Sequence, residues 1–231
     1  MSGSVAEAAT QGVADLHDLV AGIERQLDDW AAATTAWITA TGKLTGTAID
    51  KSIRPAVQAM LAAEGSLLAG AGFVAATGAL GPERSYIAWW QGEDLERVDA
   101  LANFSPQSTS RYVKAEWFRV PVETGLPHVT GPYIDLLCTD EYVLTFTHPV
   151  FDGGTIAGIV GLDVLAQTLE RLGMPLLRRI GTRAALVNAD GRTIVATAPD
   201  IEAGDIVAPA AGATVHPVGR ALRIFSDTVA L

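Results

Sequence analysis

An α+β fold, with a central antiparallel sheet and long N-terminal helices, is predicted from a change of hydrophobic period along the chain and from the turn signals that follow it. Residues 1–65 repeat apolar side chains every three or four positions and read as a helical segment suited to dimerisation. From residue 66 to 231 the apolar runs shorten to strand length and are separated by Gly, Pro, Asp and Asn, which marks a second, mainly β domain.

Val13, Leu16, Val20, Ile23, Leu27, Trp30, Thr34 and Trp37 step by three and four alternately, a heptad seam with His17, Glu24, Arg25, Asp28 and Asp29 off it. Such a seam either packs on its own domain or pairs with its twin in a homodimer. The pattern weakens at Thr41-Gly42-Lys43, and a second helix is expected over 48–63 with Pro55 early in it. GFVAATG and SYIAWWQ then read as strands around the turn GPER. An irregular insert follows, containing NFSPQSTS and ending in RYVKAEWF, a short helix or loop.

Three strands come next: TGPYIDLLC, EYVLTFTHPV and TIAGIVGLDV. Thr139-Asp140 and Phe151-Asp152-Gly153-Gly154 suit the hairpin loops between them. VLAQTLERLGMPLLRRIG reads as a helix with Leu165, Leu169, Leu172 and Leu176 on one face. AALVN and RTIVATA flank the hairpin signal Ala189-Asp190-Gly191, and residues 200–231 read as a loop with a last strand around ALRIF.

Composition narrows the function. The 231 residues are 49% apolar and 18% charged, which excludes a disordered chain. A net charge of −10 from 26 acids and 16 bases disfavours nucleic acid and anionic membrane, since both require clustered cations. The single cysteine, Cys138, excludes an internal disulfide and a thiolate-rich metal site. No apolar run reaches the ~20 residues of a membrane helix. The first residues lack the cationic start and apolar core of a signal peptide. A soluble, cytoplasmic protein is the expectation.

Catalytic and metal patterns are wanting. The chain has no G-x-S-x-G elbow, and its four histidines are scattered. Gly70-Ala71-Gly72-Phe73-Val74-Ala75 matches a relaxed dinucleotide fingerprint but starts a strand instead of opening a helix. What remains is aromatic and acidic: Trp89-Trp90, Trp117-Phe118, Tyr133-x-Asp135, and Asp163 at the end of IAGIVGLDV. Ionised carboxylates on a buried sheet face are costly unless paired, and beside aromatic rings they suit a cation. The plainer alternatives are that Asp135 caps a turn or pairs with Arg111, Lys114 or Arg119, and that Asp163 N-caps the following helix. An acid–base pair of Asp135 and Asp163 in an enzyme is a further, weaker alternative.

Residues 116–164, with E-W-F-x-x-P, T-G-P-Y-I-D, Y-V-L-T-F-T-H-P-V-F-D-G-G and A-G-I-V-G-L-D-V, resemble the Cache domain family of PAS-like small-molecule sensors. With the preceding helix and strands the resemblance spans residues 10–200. It implies a PAS/Cache-like fold, no catalysis and no cofactor. In its amino-acid-binding members the pocket motif is an arginine two residues before a Trp-Tyr pair, then Tyr-x-Asp, then an aspartate ending a later strand. Carried across, these are Trp117, Tyr133, Asp135 and Asp163, while Ala115 stands at the arginine position and Phe118 at the tyrosine. An upstream aromatic corresponds to Tyr86 or Trp89.

In the family the aspartates hold the ligand's ammonium, and the arginine and tyrosine help hold its carboxylate. The amine half of the motif is therefore kept and the carboxylate half lost. The resemblance implies a small-molecule sensor for a cationic ligand, an amine, quaternary ammonium compound or amino acid, acting through helix or partner rearrangement; a homodimer is expected from the seam, and a separate regulator protein is a further expected partner. The rival is a dimeric interaction protein with a vestigial pocket.

Overall fold

The structure is a computed structural model and describes residues 2–82, 84–92, 94–98, 112–135, 141–226 and 229–230. Cys138, Arg111, NFSPQSTS and the Thr139-Asp140 loop lie outside the described residues.

Helix α1 (Ser2–Thr41) ends where Gly42 adopts a left-handed conformation at φ 72°. Along it Leu16, Val20, Ile23, Leu27, Trp30 and Thr34 are buried within the chain itself. Most of the heptad seam is thus covered by its own chain, with Val13 and Trp37 half-buried at its ends. Helix α2 (Gly46–Leu61) is capped by Thr45, whose hydroxyl accepts from the Ala48 N–H at 3.2 Å. Ile49, Ile53 and Val57, at four-residue spacing, form its buried face. The helix starts earlier than its sequence suggests, so Pro55 falls in its interior and not near its start.

Contacts divide the chain into two compact units. One comprises Gln26–Thr130 and Asp135–Leu165; the other comprises Met1–Arg25, Gly131–Ile134 and Ala166–Leu231.

The first unit is built on strands β1 (Leu68–Ala75), β2 (Tyr86–Gln91), β3 (Glu96–Arg97), β4 (His128–Ile134, its last four residues counted with the second unit), β5 (Tyr142–Asp152) and β6 (Thr155–Leu165). Their order in one sheet is β3-β2-β1-β6-β5-β4. The central strands β1 and β6 are antiparallel, as are β5 and β6, and β1 and β2. In antiparallel pairs directly opposed residues share a face. One face therefore carries Trp90, Ala71, Leu162 and Phe146 in a row, with α2 packed on β1 and β2. The later half of α1 is also tied to β5, through the Thr35 hydroxyl, which accepts from the Phe151 N–H at 3.3 Å. Helix α3 (Glu116–Thr124) packs on β5 and β6 and ends at Gly125, again left-handed.

The second unit holds helix α4 (Ala166–Ile180) and strands β7 (Ala185–Val187), β8 (Thr193–Ala196), β9 (Ala208–Pro209), β10 (Thr214–Val218), β11 (Leu222–Ser226) and β12 (Val229–Ala230). A four-stranded sheet runs β10-β11-β7-β8, and β12 pairs with β9. The tail thus contains a hairpin, β10–β11, where the sequence suggested a loop and one strand. TVHPV, mostly exposed and interrupted by Pro217, carries no apolar run to betray it. The buried stripe of α4 is Ala166, Leu169, Gly173 and Leu177; Leu172 and Leu176 are half-buried and Leu165 ends β6. The stripe turns toward Gly173 because a Cβ there would already touch Leu16 and Val195 at 3.5 Å, so a small residue sits at the closest approach. Glu24, buried on α1, accepts the Arg220 N–H at 2.8 Å. The Ala189-Asp190-Gly191 turn forms as expected, with Asn188 Oδ1 accepting from the Asp190 and Arg192 N–H groups.

Leu16→Ala should lower the unfolding free energy by about 2–5 kcal/mol through the cavity it leaves. Urea unfolding checks this, and the midpoint should not move with protein concentration; a concentration-dependent midpoint would mean that the seam serves a dimer.

Candidate functional site

The site lies on the sheet face opposite α2. Gly72 is opposed by Trp89 on β2 and Gly161 on β6, and Gly161 by Thr147 on β5. In the adjacent row Gly70 is opposed by Gln91 and Asp163, and Asp163 by Thr145. Three of these positions have no side chain, and the consequence is direct. The Trp89 indole lies flat across β1 and β6: a Cβ on Gly72 would come within 2.6 Å of Trp89, and one on Gly161 within 2.7 Å. From there Trp89 Nε1 donates to Asp163 Oδ2 at 3.0 Å. Thr145 Oγ1 donates to Asp163 Oδ1 at 2.6 Å.

Asp163 is 3% exposed. Burial raises its pKa from the ordinary 3.8 to about 7; the Asp135 carboxylate adds to the rise, and the Thr145 and Trp89 hydrogen bonds oppose it. The alternative of an N-cap on α4 is excluded by this geometry, because both oxygens turn to β5 and β2.

Asp135 is 4% exposed, so its face of the chain is not wet, whereas the preceding Ile134 is 58% exposed. It stands one residue beyond β4 and not inside it, and its N–H donates to the Glu141 carbonyl at 2.9 Å. Tyr133 is half-buried on β4, among the residues grouped with the second unit.

Helix α3 brings Trp117 and Phe118, both buried. The Trp117 ring centroid is 6.0 Å from Trp89, 6.1 Å from Tyr112 and 6.2 Å from Phe118, the last two edge-on. Asp163, Thr145, Trp89, Trp117 and Phe118 are therefore linked in one cluster. Arg119 is exposed and pairs with Glu123 at 2.7 Å, and Lys114 is exposed. His128 Nε2 lies 2.8 Å from Glu116 at the start of α3.

Tyr86 is a correction. It stands three residues from Trp89, and alternation puts it on the other face. There its hydroxyl donates to Asp50 of α2 at 2.9 Å and accepts from Arg97 at 3.0 Å, while the Arg97 guanidinium lies 5.2 Å from the Trp90 ring. It does not join Trp89, Trp117 and Asp163.

Sequence reading missed Thr145, Tyr112 and the glycine floor. The signal for Thr145 was present as Thr145 and Thr147 alternating in an otherwise apolar strand. The floor was visible as Gly70 and Gly72, two apart, which a dinucleotide fingerprint obscured; the strand β1 there removes that reading. Among the described residues no cluster of metal-ligating side chains occurs, and no helix is long and apolar enough to cross a membrane.

Residues 83–171 match the family model of the methyl-accepting chemotaxis protein-like first PDC sensor domain. No curated protein matches the chain. Among solved structures, the extracellular domain of the histidine kinase mmHK1S-Z2 superposes with a TM-score of 0.63 at 15% identity, over 97% of this chain and 95% of that one. The ligand-binding domain of the Pseudomonas aeruginosa PAO1 amino-acid chemoreceptor PctC, in complex with GABA, superposes at 0.58 with 14% identity, over 95% of each chain. That of the Pseudomonas fluorescens chemoreceptor CtaA, in complex with L-valine, gives 0.56 at 17% identity, over 95% of this chain and 93% of that one. The fold is the one these sensor domains share, the Cache/PDC type, as the resemblance to the Cache family implied, and the segment 83–171 carries the PDC match.

Two outcomes follow. Gly161→Val should displace the Trp89 indole, cost about 1–3 kcal/mol by overpacking, and shift indole fluorescence; an unchanged spectrum would contradict the glycine floor. For Asp163, the folded carboxyl titrates near 7 and the unfolded one near 3.8. The folded state binds the extra proton between those values, so stability falls as pH rises through that window and the loss is complete above it, on the order of 4 kcal/mol. Asp163→Asn removes that dependence. The stability difference between variant and parent, measured in urea, should move in the variant's favour from about pH 4 to about pH 8, and a constant difference would show that Asp163 titrates normally.

Proposed function

We propose that this chain is a non-catalytic sensor domain that binds a small cationic molecule, an amine or quaternary ammonium compound, at Asp135 and Asp163. The observation that carries the reading is the pairing of two buried carboxyls, close enough that one raises the pKa of the other, beside Trp89, Trp117 and Phe118. Two carboxylates in a low-dielectric site repel each other, and a cation between them relieves both that repulsion and their desolvation. Aromatic faces add attraction for the same charge.

The related sensor domains support the ligand class. GABA and valine, held by PctC and CtaA, each carry an ammonium and a carboxylate. In the Cache motif the carboxylate is met by an arginine and a tyrosine, and this chain has Ala115 and Phe118 at those positions. Arg119 is exposed and paired with Glu123, which leaves it poorly placed to replace that arginine. A ligand with an ammonium and no carboxylate fits what remains. Because Trp117 and Phe118 ride on α3, a ligand that reorients them moves that helix. The shift it can produce is bounded by its difference in affinity for the two states. The rival reading, an interaction protein acting through the α1 seam, has less support because most of that seam is buried.

Thermal unfolding against amines, quaternary ammonium compounds, amino acids and small carboxylates tests the reading. A ligand at a hundred times its Kd adds about 2.7 kcal/mol, or roughly 5–10 °C in Tm for a domain of this size. The shift is expected with cations lacking a carboxylate and should be lost in Asp135→Ala. A shift confined to carboxylates, or an undiminished shift in the variant, would overturn it.

A further inference from the structure

The site holds the Asp163 carboxyl in surroundings that favour its protonated form, which is unsuited to a cation. Asp163 is withdrawn from water on β6, and both groups that bond it, the Thr145 hydroxyl on β5 and the Trp89 indole N–H on β2, are neutral. Gly70, opposite it on β1, presents no side chain. Among the described residues, the charged group acting on it is another carboxyl, Asp135, just past β4. On α3, the helix packed over this face, the exposed Glu116 and Arg119 are engaged by His128 and Glu123. Among the described residues no cation faces Asp163 from any of these elements. Neutral donors satisfy its oxygens without compensating a charge, so the buried carboxyl favours its protonated form.

We propose that cation uptake at this site expels the proton of the Asp163 carboxyl to solvent, so that the sensor's affinity for its ligand falls in acid. The inference rests on the cationic-ligand reading of the same site. Charge balances: a neutral acid and an incoming cation become a carboxylate–cation pair and a released proton. Linkage makes the effect reciprocal, because a cation that binds the carboxylate lowers that carboxyl's pKa, and raising the proton concentration weakens the cation. Burial pushes the Asp163 pKa up to about 7. Affinity should therefore sit near its plateau at about pH 8.5, fall about tenfold per pH unit below 7, and be about thirtyfold weaker at pH 5.5.

Tetramethylammonium, which cannot titrate, and ethylammonium, which stays protonated over this range, are suitable probes. Each is titrated calorimetrically into the full chain in two buffers of different ionisation enthalpy. Close to one proton released per bound cation is expected at about pH 6 and almost none at about pH 8.5. Thr145→Val removes a donor that favours the ionised carboxyl and should move the midpoint of the affinity–pH curve upward. Asp163→Asn should abolish the release.

Carbon-13 NMR of the aspartate carboxyls follows the same group without ligand. A midpoint for Asp163 in the ordinary carboxylate range overturns the proposal, whatever binds. Binding with no release overturns the coupling alone. Failure of both cations to bind at any pH overturns the cationic reading and this inference with it.

Discussion

The hydrogen bond from the Trp89 indole to Asp163 is the contact on which the candidate site depends. It requires an indole lying flat on a sheet, and a sheet admits a flat indole only where the strands beneath carry no side chains. Gly72 and Gly161 supply that gap on neighbouring strands, and Gly70 leaves room where Nε1 meets the carboxyl. Thr145 completes the carboxyl's partners from the other side. Each part is ordinary; the effect comes from their register. Slipping β1 by one residue against β6 would turn Gly70 and Gly72 away and put the side chains of Ala71 and Phe73 on the face that holds Gly161, Asp163 and Thr145.

Burying a carboxyl in this way is a poor device for stability, since its desolvation outweighs what two neutral hydrogen bonds return. A domain that needed only a packed core would place a leucine there. The strain that burial imposes on the ionised form, and the second carboxyl at Asp135, are the features that distinguish the site from the rest of the sheet. The Trp117 and Phe118 rings from α3 close around the same point, so the acidic pair sits where polarisable faces replace water.

The other face of the same sheet is organised on opposite terms. Arg97, Tyr86 and Asp50 form a compensated ion pair with a shared phenol, tying β2 and the edge strand β3 to α2. Here the charges cancel and the rings of Tyr86 and Trp90 flank a cation already present in the chain. One face thus keeps its aromatic–cation contact internal, whereas the other presents aromatic rings beside acid.

Sequence by itself determined the helix–sheet division, most of the strands, the α1 stripe and the acidic–aromatic residues from Trp89 to Asp163, because period, turn chemistry and rare residue types are local properties of the chain. The Cache resemblance was legible for a related reason: its motif residues fall in one segment, 116–164, that carries α3 and the consecutive strands β4, β5 and β6. Tertiary structure alone decided that the α1 stripe is covered by its own chain, since a heptad looks the same whichever surface it meets. It also decided that Tyr86 and Trp89 part company, because two aromatics three apart are separated only once strand phase is set. The β10–β11 hairpin, with its polar exposed strand, was invisible to hydrophobic pattern. And it was pairing between β1, β2, β5 and β6, distant in sequence, that turned three glycines, a threonine and a tryptophan into the setting of one buried carboxyl.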